Sequence, residues 1–416
     1  MATRVVFFNR SFYPDISATS QLLSELCIDL VGDYDCEVTV ICGKPLISQN
    51  PGVVFNAGIN LIKKDSFKKI SILRVNSTNF SPKSFFKRIS NYLSYFALSF
   101  LASFKLKDAD LVVALTDPPI IGLVGLWVSF RFHAPLIISV RDVFPEAARG
   151  LHGSKNKVVG MLLDRINRLC FNKADRVVSL GKLMQSRLIE EKGVREDKVS
   201  IITDWSDAKN IFPVSRQNPF AITNNLLNYF VVMYSGNMGA SSGLETLIES
   251  ASMLKDYKDI LFVFIGEGII RDELIKRAEK YKLENTKFFP YQPRDLLSDS
   301  FSSADIFVIL LKVGLAGYSV PSKVYPVLAS GRAFVACVEG ESEIASMARE
   351  FNCGLIARPE DPADLTLKIL SLYKDKELRR QLGENALKAS ANFSRTHGAR
   401  AYYELFQMLL DGKKGI

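Results

Sequence analysis

A few short segments hold residue types able to manage a negatively charged group while it is transferred. The segment SGNMG puts Ser235, Gly236, Asn237 and Gly239 directly behind an apolar run, and glycines there let backbone N–H groups come close to a diphosphate. IGEG repeats the arrangement with Gly266, Glu267 and Gly268. The stretch LKVGLAGYSVPSKVYPVLASGR carries Ser322 and Lys323 just behind Pro321, a residue suited to the first helical position. A helix start at that point would aim unpaired N–H groups at an anion, and Lys323 would add a full positive charge. Each segment has a plainer reading, as a tight turn for the glycines and an exposed helix-start cation for the lysine.

In the first half, RDVFPEAARG places Arg141, Asp142 and Glu146 behind a buried-strand pattern, where charged loop residues suggest function. The alternative there is an Arg–Asp ion pair with a helix-start glutamate after Pro145. The loop 10–21 and the segment Thr116-Asp117-Pro118-Pro119 could form walls of an acceptor pocket.

What is missing also narrows the chemistry. The three histidines, His133, His152 and His397, show no metal spacing, and there is no G-x-x-x-x-G-K-[ST]; Gly239 to Gly243 fits G-x-S-x-G, but Ser241 stands beyond the SGNMG loop rather than directly behind the apolar run, and the Asp-x-Asp pairs 33/35 and 108/110 stand ahead of apolar runs, not behind them. Metal hydrolysis, kinase-like transfer and metal-chelated sugar transfer are disfavoured, and neither a metal nor a cofactor is expected. The loop after the first apolar run lacks G-x-G-x-x-G, which argues against a dinucleotide oxidoreductase.

These segments need strands ending at one edge of a sheet. Apolar, β-branched runs at 5–8, 38–42, 111–115, 136–140 and 176–180 alternate with helical patterns, which predicts a parallel, doubly wound sheet. A polar, proline-bearing stretch after position 201 interrupts the alternation. It resumes with runs at 230–234, 260–265, 286–289, 306–310 and 333–337, followed by helical segments 362–373, 376–391 and 396–410. The expected division is an N-terminal acceptor-side domain (1–205), a linker (206–228) with hinge candidates, a C-terminal nucleotide-binding domain (229–395) and a final helix (396–416) packing back on the first domain. Ligands of open α/β sheets bind beyond the carboxyl ends of the strands, so two such domains facing a cleft would hold a donor and an acceptor.

With 416 residues the chain exceeds what one core usually serves, in keeping with two α/β domains of roughly 200 residues each. The excess of 53 Lys+Arg over 44 Asp+Glu, +9, favours anionic partners without choosing among them. Nucleic acid is disfavoured, because no recognition motif or aromatic-interleaved basic stripe is present. Six dispersed cysteines without a C-x-x-C pair read as buried thiols of a reducing compartment. The opening MATRVVFFNRSF lacks a secretory apolar core, so the expected location is cytoplasmic. The apolar stretches 92–104 and 118–130 fall short of the roughly 20 residues of a spanning helix. The first is flanked by Lys83, Lys87, Arg88, Lys105 and Lys107, the pattern of a helix lying on an anionic membrane, with a buried domain helix as the alternative.

The order FYPDIS, RDVFPE, SGNMG, IGEG, FPYQP, SVPSKVYPVLASGR and ARPEDP resembles the family 4 retaining glycosyltransferases of the GT-B fold, especially the branch that builds O-antigen, capsule and colanic-acid-like polysaccharides. The resemblance spans nearly the whole chain, and PSK…LASGR and RDxxPE are its most specific parts. It implies a retaining, metal-independent hexosyltransferase that uses a UDP- or GDP-linked sugar as substrate. The acceptor it implies is a glycan, expected to be lipid-linked at the inner membrane face. By that resemblance Ser235 to Gly239 and Gly266 to Gly268 line the diphosphate and nucleotide, Tyr291 and Gln292 sit by the base, and Ser322 with Lys323 holds the phosphates. Glu343, with 339–342, lies near the donor sugar, Tyr318 stands on the donor side, and Arg141 and Asp142 face the acceptor and sugar.

Retaining transfer without a covalent intermediate needs the departing diphosphate stabilised, the role this reading gives Lys323, with Asp142 orienting the acceptor hydroxyl. Departures from the family pattern stand out. Asn237 and Ser242 occupy positions of an Arg and a Lys, Tyr318 and Pro326 those of two glutamates eight positions apart, and Ala316 a position where the polysaccharide branch often has Glu. They keep open a catalytically silent binding subunit of an assembly complex; a nucleotide-sugar epimerase, which would need no acceptor, is the other alternative.

Overall fold

Two sheets organise the computed structural model, which describes residues 2–45, 60–80, 85–148 and 157–414. Lys83, Arg149, Gly150 and His152, named above, lie outside the described residues. Contacts divide the chain into one unit of residues 1–203 with 395–416 and another of residues 204–394.

The first unit holds strands β1 (Thr3–Phe8), β2 (Cys36–Cys42), β3 (Ile62–Phe67), β4 (Ile70–Val75), β5 (Leu111–Leu115), β6 (Leu136–Ser139), β7 (Arg176–Ser179) and β8 (Val199–Ile201). Their order across the sheet is β3-β4-β2-β1-β5-β6-β7-β8, parallel throughout except for β3, which runs antiparallel to β4 with Ile62 opposite Val75. β5 and β6 are buried along their whole length because helices cover both faces, which is why they read as continuous apolar runs. β3, IKKDSF, is the polar edge and carries no such run.

Chain direction reverses at β1. The crossovers from β4 to β5, β5 to β6 and β6 to β7 all step the same way along the sheet, so right-handedness puts helices Phe85–Ser103, Gly122–Phe132 and Lys157–Lys173 on one face. Helix Ala18–Gly32 packs on the other face with the terminal helix Arg395–Lys414, where Arg395 pairs with Asp29 at 2.5 Å and Tyr34 stacks on Tyr403.

The second unit is all parallel: β9 (Phe230–Ser235), β10 (Ile260–Ile265), β11 (Thr286–Phe289), β12 (Ile306–Leu310), β13 (Ala333–Cys337) and β14 (Gly354–Ala357), in the order β11-β10-β9-β12-β13-β14. Its core is Phe230, Val232 and Tyr234 of β9 with Phe262, Phe264, Val308 and Val335, covered by Leu244, Leu247 and Leu365 from the helices. Residues 206–228, expected to form a linker, belong to this unit. The Phe212 N–H donates to Ser298 Oγ at 3.1 Å, the Val214 N–H to Ser302 Oγ at 3.0 Å, and Asn218 caps the short helix Pro219–Thr223. Short polar side chains on the helix Leu297–Ser302 make these contacts, and a proline-bearing stretch gives no sequence sign of them.

All six cysteines are buried free thiols, and burial pushes the Cys36 and Cys42 thiols up to about 11. No helix among the described residues is long and apolar enough to cross a membrane.

Candidate functional site

In the second sheet the strand order reverses between β9 and β12, and the loops leaving these strands converge there. β9 delivers Ser235 and Gly236 at its carboxyl end, and the Gly236 N–H donates to Ile265 O of β10 at 2.9 Å. One strand further, the Gly266 N–H donates to Phe289 O at 2.9 Å, so the loops after β9, β10 and β11 are laced edge to edge.

The packing leaves no room for side chains on two of the glycines. At Gly266, φ +139°, a Cβ would stand 2.1 Å from Gly236 O; at Gly268, φ +155°, it would stand 2.3 Å from Met238 O. The same hypothetical Cβ on Gly266 lies 3.5 Å from Tyr291 Cε1, which puts Tyr291 beside the two glycine loops. Gln292 follows it, its amide donating to Pro290 O at 2.9 Å.

Lys323 reaches this cluster from the loop after β12, just ahead of the helix Val324–Ala329. A Cβ on Gly236 would be 3.3 Å from Lys323 Cε, so the lysine stem crosses directly over the first glycine. Its ammonium donates to the Tyr234 hydroxyl at 2.6 Å, and that hydroxyl donates to Asn237 O at 2.6 Å. Desolvation by burial draws Lys323 from 10.5 down to about 7. A cation held this way is poised to gain from an incoming anion.

Several residues of this neighbourhood carried no sequence signal. Tyr234, fully buried at the end of β9, reads as one more apolar strand position, yet it joins Lys323 to the glycine loop. Lys312, leaving β12, donates its backbone N–H to Ser241 O at 3.0 Å and lies 3.8 Å from the Glu245 carboxylate. It brings a cation beside Ser242, which is itself buried with its hydroxyl on Gly239 O. Glu339, behind β13, accepts from the Ala316 N–H at 3.2 Å, so a carboxylate meets the position where Ala316 offers none. Glu339 is among the residues that the resemblance places near the donor sugar; its contact with Ala316 depends on which strand ends lie side by side.

Of the other named residues, Ser322 precedes Lys323 at the same loop end, and Tyr318 stands in that loop with its N–H on Leu315 O. Glu343 opens the helix Glu343–Glu350 behind the cap Ser342, whose hydroxyl accepts from Ala345 N–H. Arg332 is tied away to Ser302 O at 2.7 Å.

Arg141 and Asp142 belong to the first unit, after β6. Thr116 Oγ1 accepts from the Arg141 N–H at 2.9 Å and donates to Asp142 O at 3.4 Å, while Arg10 pairs with Asp117 at 3.3 Å. The loops after β1, β5 and β6 therefore meet at this sheet's own reversal point. Glu146, read from the sequence as a ligand-edge acid or a helix-start glutamate, lies 2.6 Å from Lys192, which also holds Asp164 at 2.6 Å. Lys192 is 1% exposed and lies 46 residues away, so its demand for counter-charges was invisible in the local segment. Among the described residues no group of three or more His, Cys, Asp or Glu could hold a metal ion.

Comparison with known proteins agrees with this geometry. Residues 71–205 match the family model described as "Glycosyl transferase 4-like domain" and residues 215–389 the one described as "Glycosyl transferases group 1". The probable glycosyltransferase WbjE of Pseudomonas aeruginosa is 28% identical over 67% of this chain and 70% of its own length. The putative colanic acid biosynthesis glycosyl transferase WcaI of Escherichia coli K12 is 29% identical over 61% of this chain and 64% of its own. Among solved structures, Anabaena HepE in complex with UDP and glucose superposes with a TM-score of 0.71 at 15% identity, covering 97% of this chain and 99% of that one.

Proposed function

Because the chain belongs to the family 4 glycosyltransferases of the GT-B fold, we propose that it moves a sugar from a UDP- or GDP-linked donor onto a lipid-linked glycan acceptor during synthesis of a cell-surface polysaccharide. The observation that carries this reading is Lys323, held over Gly236 between the loops of β9 and β12. The donor diphosphate lies on the Ser235 to Gly239 and Gly266 to Gly268 loops, with Tyr291 and Gln292 at the base and Tyr318, Ser322 and Glu343 toward the sugar. HepE, of the same fold, binds UDP and glucose, and WcaI carries a colanic-acid name; both favour a nucleotide-sugar donor and a polysaccharide product.

Transfer proceeds with retention and without a metal. As the bond between the anomeric carbon and the diphosphate breaks, charge builds on the departing oxygen, and the Lys323 ammonium stabilises it. A donor phosphate oxygen takes the acceptor proton on the face of attack, and Asp142 orients the acceptor hydroxyl beside Arg141. The chain acts in the cytoplasm, against the anionic inner face of the membrane where a lipid-linked acceptor is exposed.

The deciving measurement is a thermal-shift series against UDP, GDP and their sugars, since a ligand that binds only the folded state raises Tm. A rise with one nucleotide series, followed by transfer from its sugars, is the expected result. Folded protein that responds to none of them overturns the donor site. A rise without transfer to any acceptor favours a silent binding subunit.

A further inference from the structure

One face of the first unit is unlike the rest of its surface. Helices Phe85–Ser103, Gly122–Phe132 and Lys157–Lys173 lie side by side on it, the first two joined through Phe100, Phe104 and Trp127. The last two pack so closely that a Cβ on Gly122 would meet Cys170 Cβ at 3.0 Å. Their outward sides are apolar: Phe86 is 78% exposed, Phe130 75%, Val158 73% and Leu162 58%. Large apolar side chains so exposed cost solubility unless something covers them. The helix layer on the opposite face, Ala18–Gly32 with Arg395–Lys414, exposes only Met408 among its described large apolar residues.

Charge on the face is one-sided as well. The first two helices contain no Asp or Glu, and the third contains only Asp164, already engaged by Arg168 and Lys192. Lys87, Lys105, Lys157, Arg165 and Lys173 are exposed around the apolar residues. Helix Lys157–Lys173 shows the pattern most fully. Val158, Met161, Leu162 and Leu169 recur at helical spacing on its outer side, bordered by Lys157, Arg165 and Lys173. Apolar side chains rimmed by cations alone suit the boundary of an anionic bilayer, where the former enter the acyl region and the latter meet phosphates. A second copy of the same face would set cation against cation.

We infer that this three-helix face is a membrane-docking surface for anionic lipid, with helix Lys157–Lys173 lying in the bilayer interface. The inference deepens the lipid-linked acceptor proposed above and rests on it for its purpose. Its test does not. Docking would hold the protein at the surface that carries such an acceptor, so an apolar lipid tail need never leave the bilayer.

The test is flotation of the full chain with phosphatidylglycerol vesicles, against phosphatidylcholine vesicles, at low and high salt. The wild type is expected to float with the anionic vesicles only and to be released by salt, since surface attraction is screened within about 10 Å at 0.1 M. Met161→Glu with Leu162→Glu should lower the floated fraction about tenfold by placing charge where apolar area enters the interface. Lys157→Glu with Arg165→Glu leaves the apolar positions untouched and should abolish the preference for anionic vesicles. Wild-type protein that stays out of both vesicle types, or glutamate variants that float like wild type, overturns the inference. So does a wild-type dimer that Met161→Glu with Leu162→Glu converts to monomer without vesicle binding, which would make the face a contact between copies. A variant that no longer floats but keeps its nucleotide thermal shift shows that docking and the donor site are separate properties; loss of the shift in wild type would fault the donor reading alone.

Discussion

Lys323 carries most of the electrostatic demand of the proposed reaction. By the resemblance, Asn237 and Ser242 of the first glycine loop stand at positions of cations in the family pattern, and in this chain Lys323 crosses over Gly236. Lys323→Ala should therefore cut turnover about a hundredfold, the scale of losing a transition-state electrostatic contact. Arg332→Ala should do much less, because Arg332 is committed to Ser302 O. Steady-state kcat for the two variants settles it, and wild-type activity in Lys323→Ala would remove the lysine from the mechanism. The lowering of Lys323 to about 7 adds a pH signature. Between pH 7 and 10.5 the unfolded chain holds a proton at this lysine that the ligand-free folded chain does not. Its contribution to stability thus rises with pH across that window. An anionic diphosphate reverses the burial penalty, so nucleotide binding at pH 8 should take up a proton, and this uptake should vanish in Lys323→Ala. Calorimetric titration in two buffers of different ionisation enthalpy reads it directly.

Among the elements, the joint between helix Lys157–Lys173 and the loop after β6 depends on Lys192. Its ammonium, 1% exposed, is shared by Glu146 and Asp164. Lys192→Met would leave both carboxylates without their shared cation. We expect a loss of about 3 kcal/mol in urea unfolding, at the low end for a broken buried pair because both acids keep some contact with water. Activity per folded molecule should hold; unchanged stability with lost turnover would return Glu146 to the site. Glu146 also shows the reach of sequence patterns. The strand before RDVFPE was legible from its apolar run, and so was the loop position of Arg141 and Asp142, because a buried parallel strand must end in a loop at the sheet edge. That Glu146 would turn to a lysine 46 residues later was not, since burial of a charge is satisfied through space. β3 was missed for a related reason: an edge strand exposes IKKDSF and shows no apolar signal.

For the molecule as a whole, the proposed transfer needs no metal. Transfer assayed in EDTA should equal transfer in magnesium, and an EDTA-sensitive rate restored by a divalent cation would show that a metal takes part. Composition and strand-helix alternation were enough to give two α/β halves, while the nucleotide-sugar reading came from the resemblance of the ordered motifs to the family 4 glycosyltransferases. Those features follow from local rules: apolar runs make buried strands, and glycine is needed where backbones approach closely, as Gly266 and Gly268 do. Only the tertiary structure decided which strand ends are neighbours. The reversal between β9 and β12 puts Lys323 over Gly236, brings Glu339 to Ala316 and sets Tyr234 between two loops, while right-handed crossovers gather three helices with exposed apolar sides on one face. Distances of this kind depend on sheet order, which is fixed by long-range packing and leaves no trace in the spacing of residues along the chain.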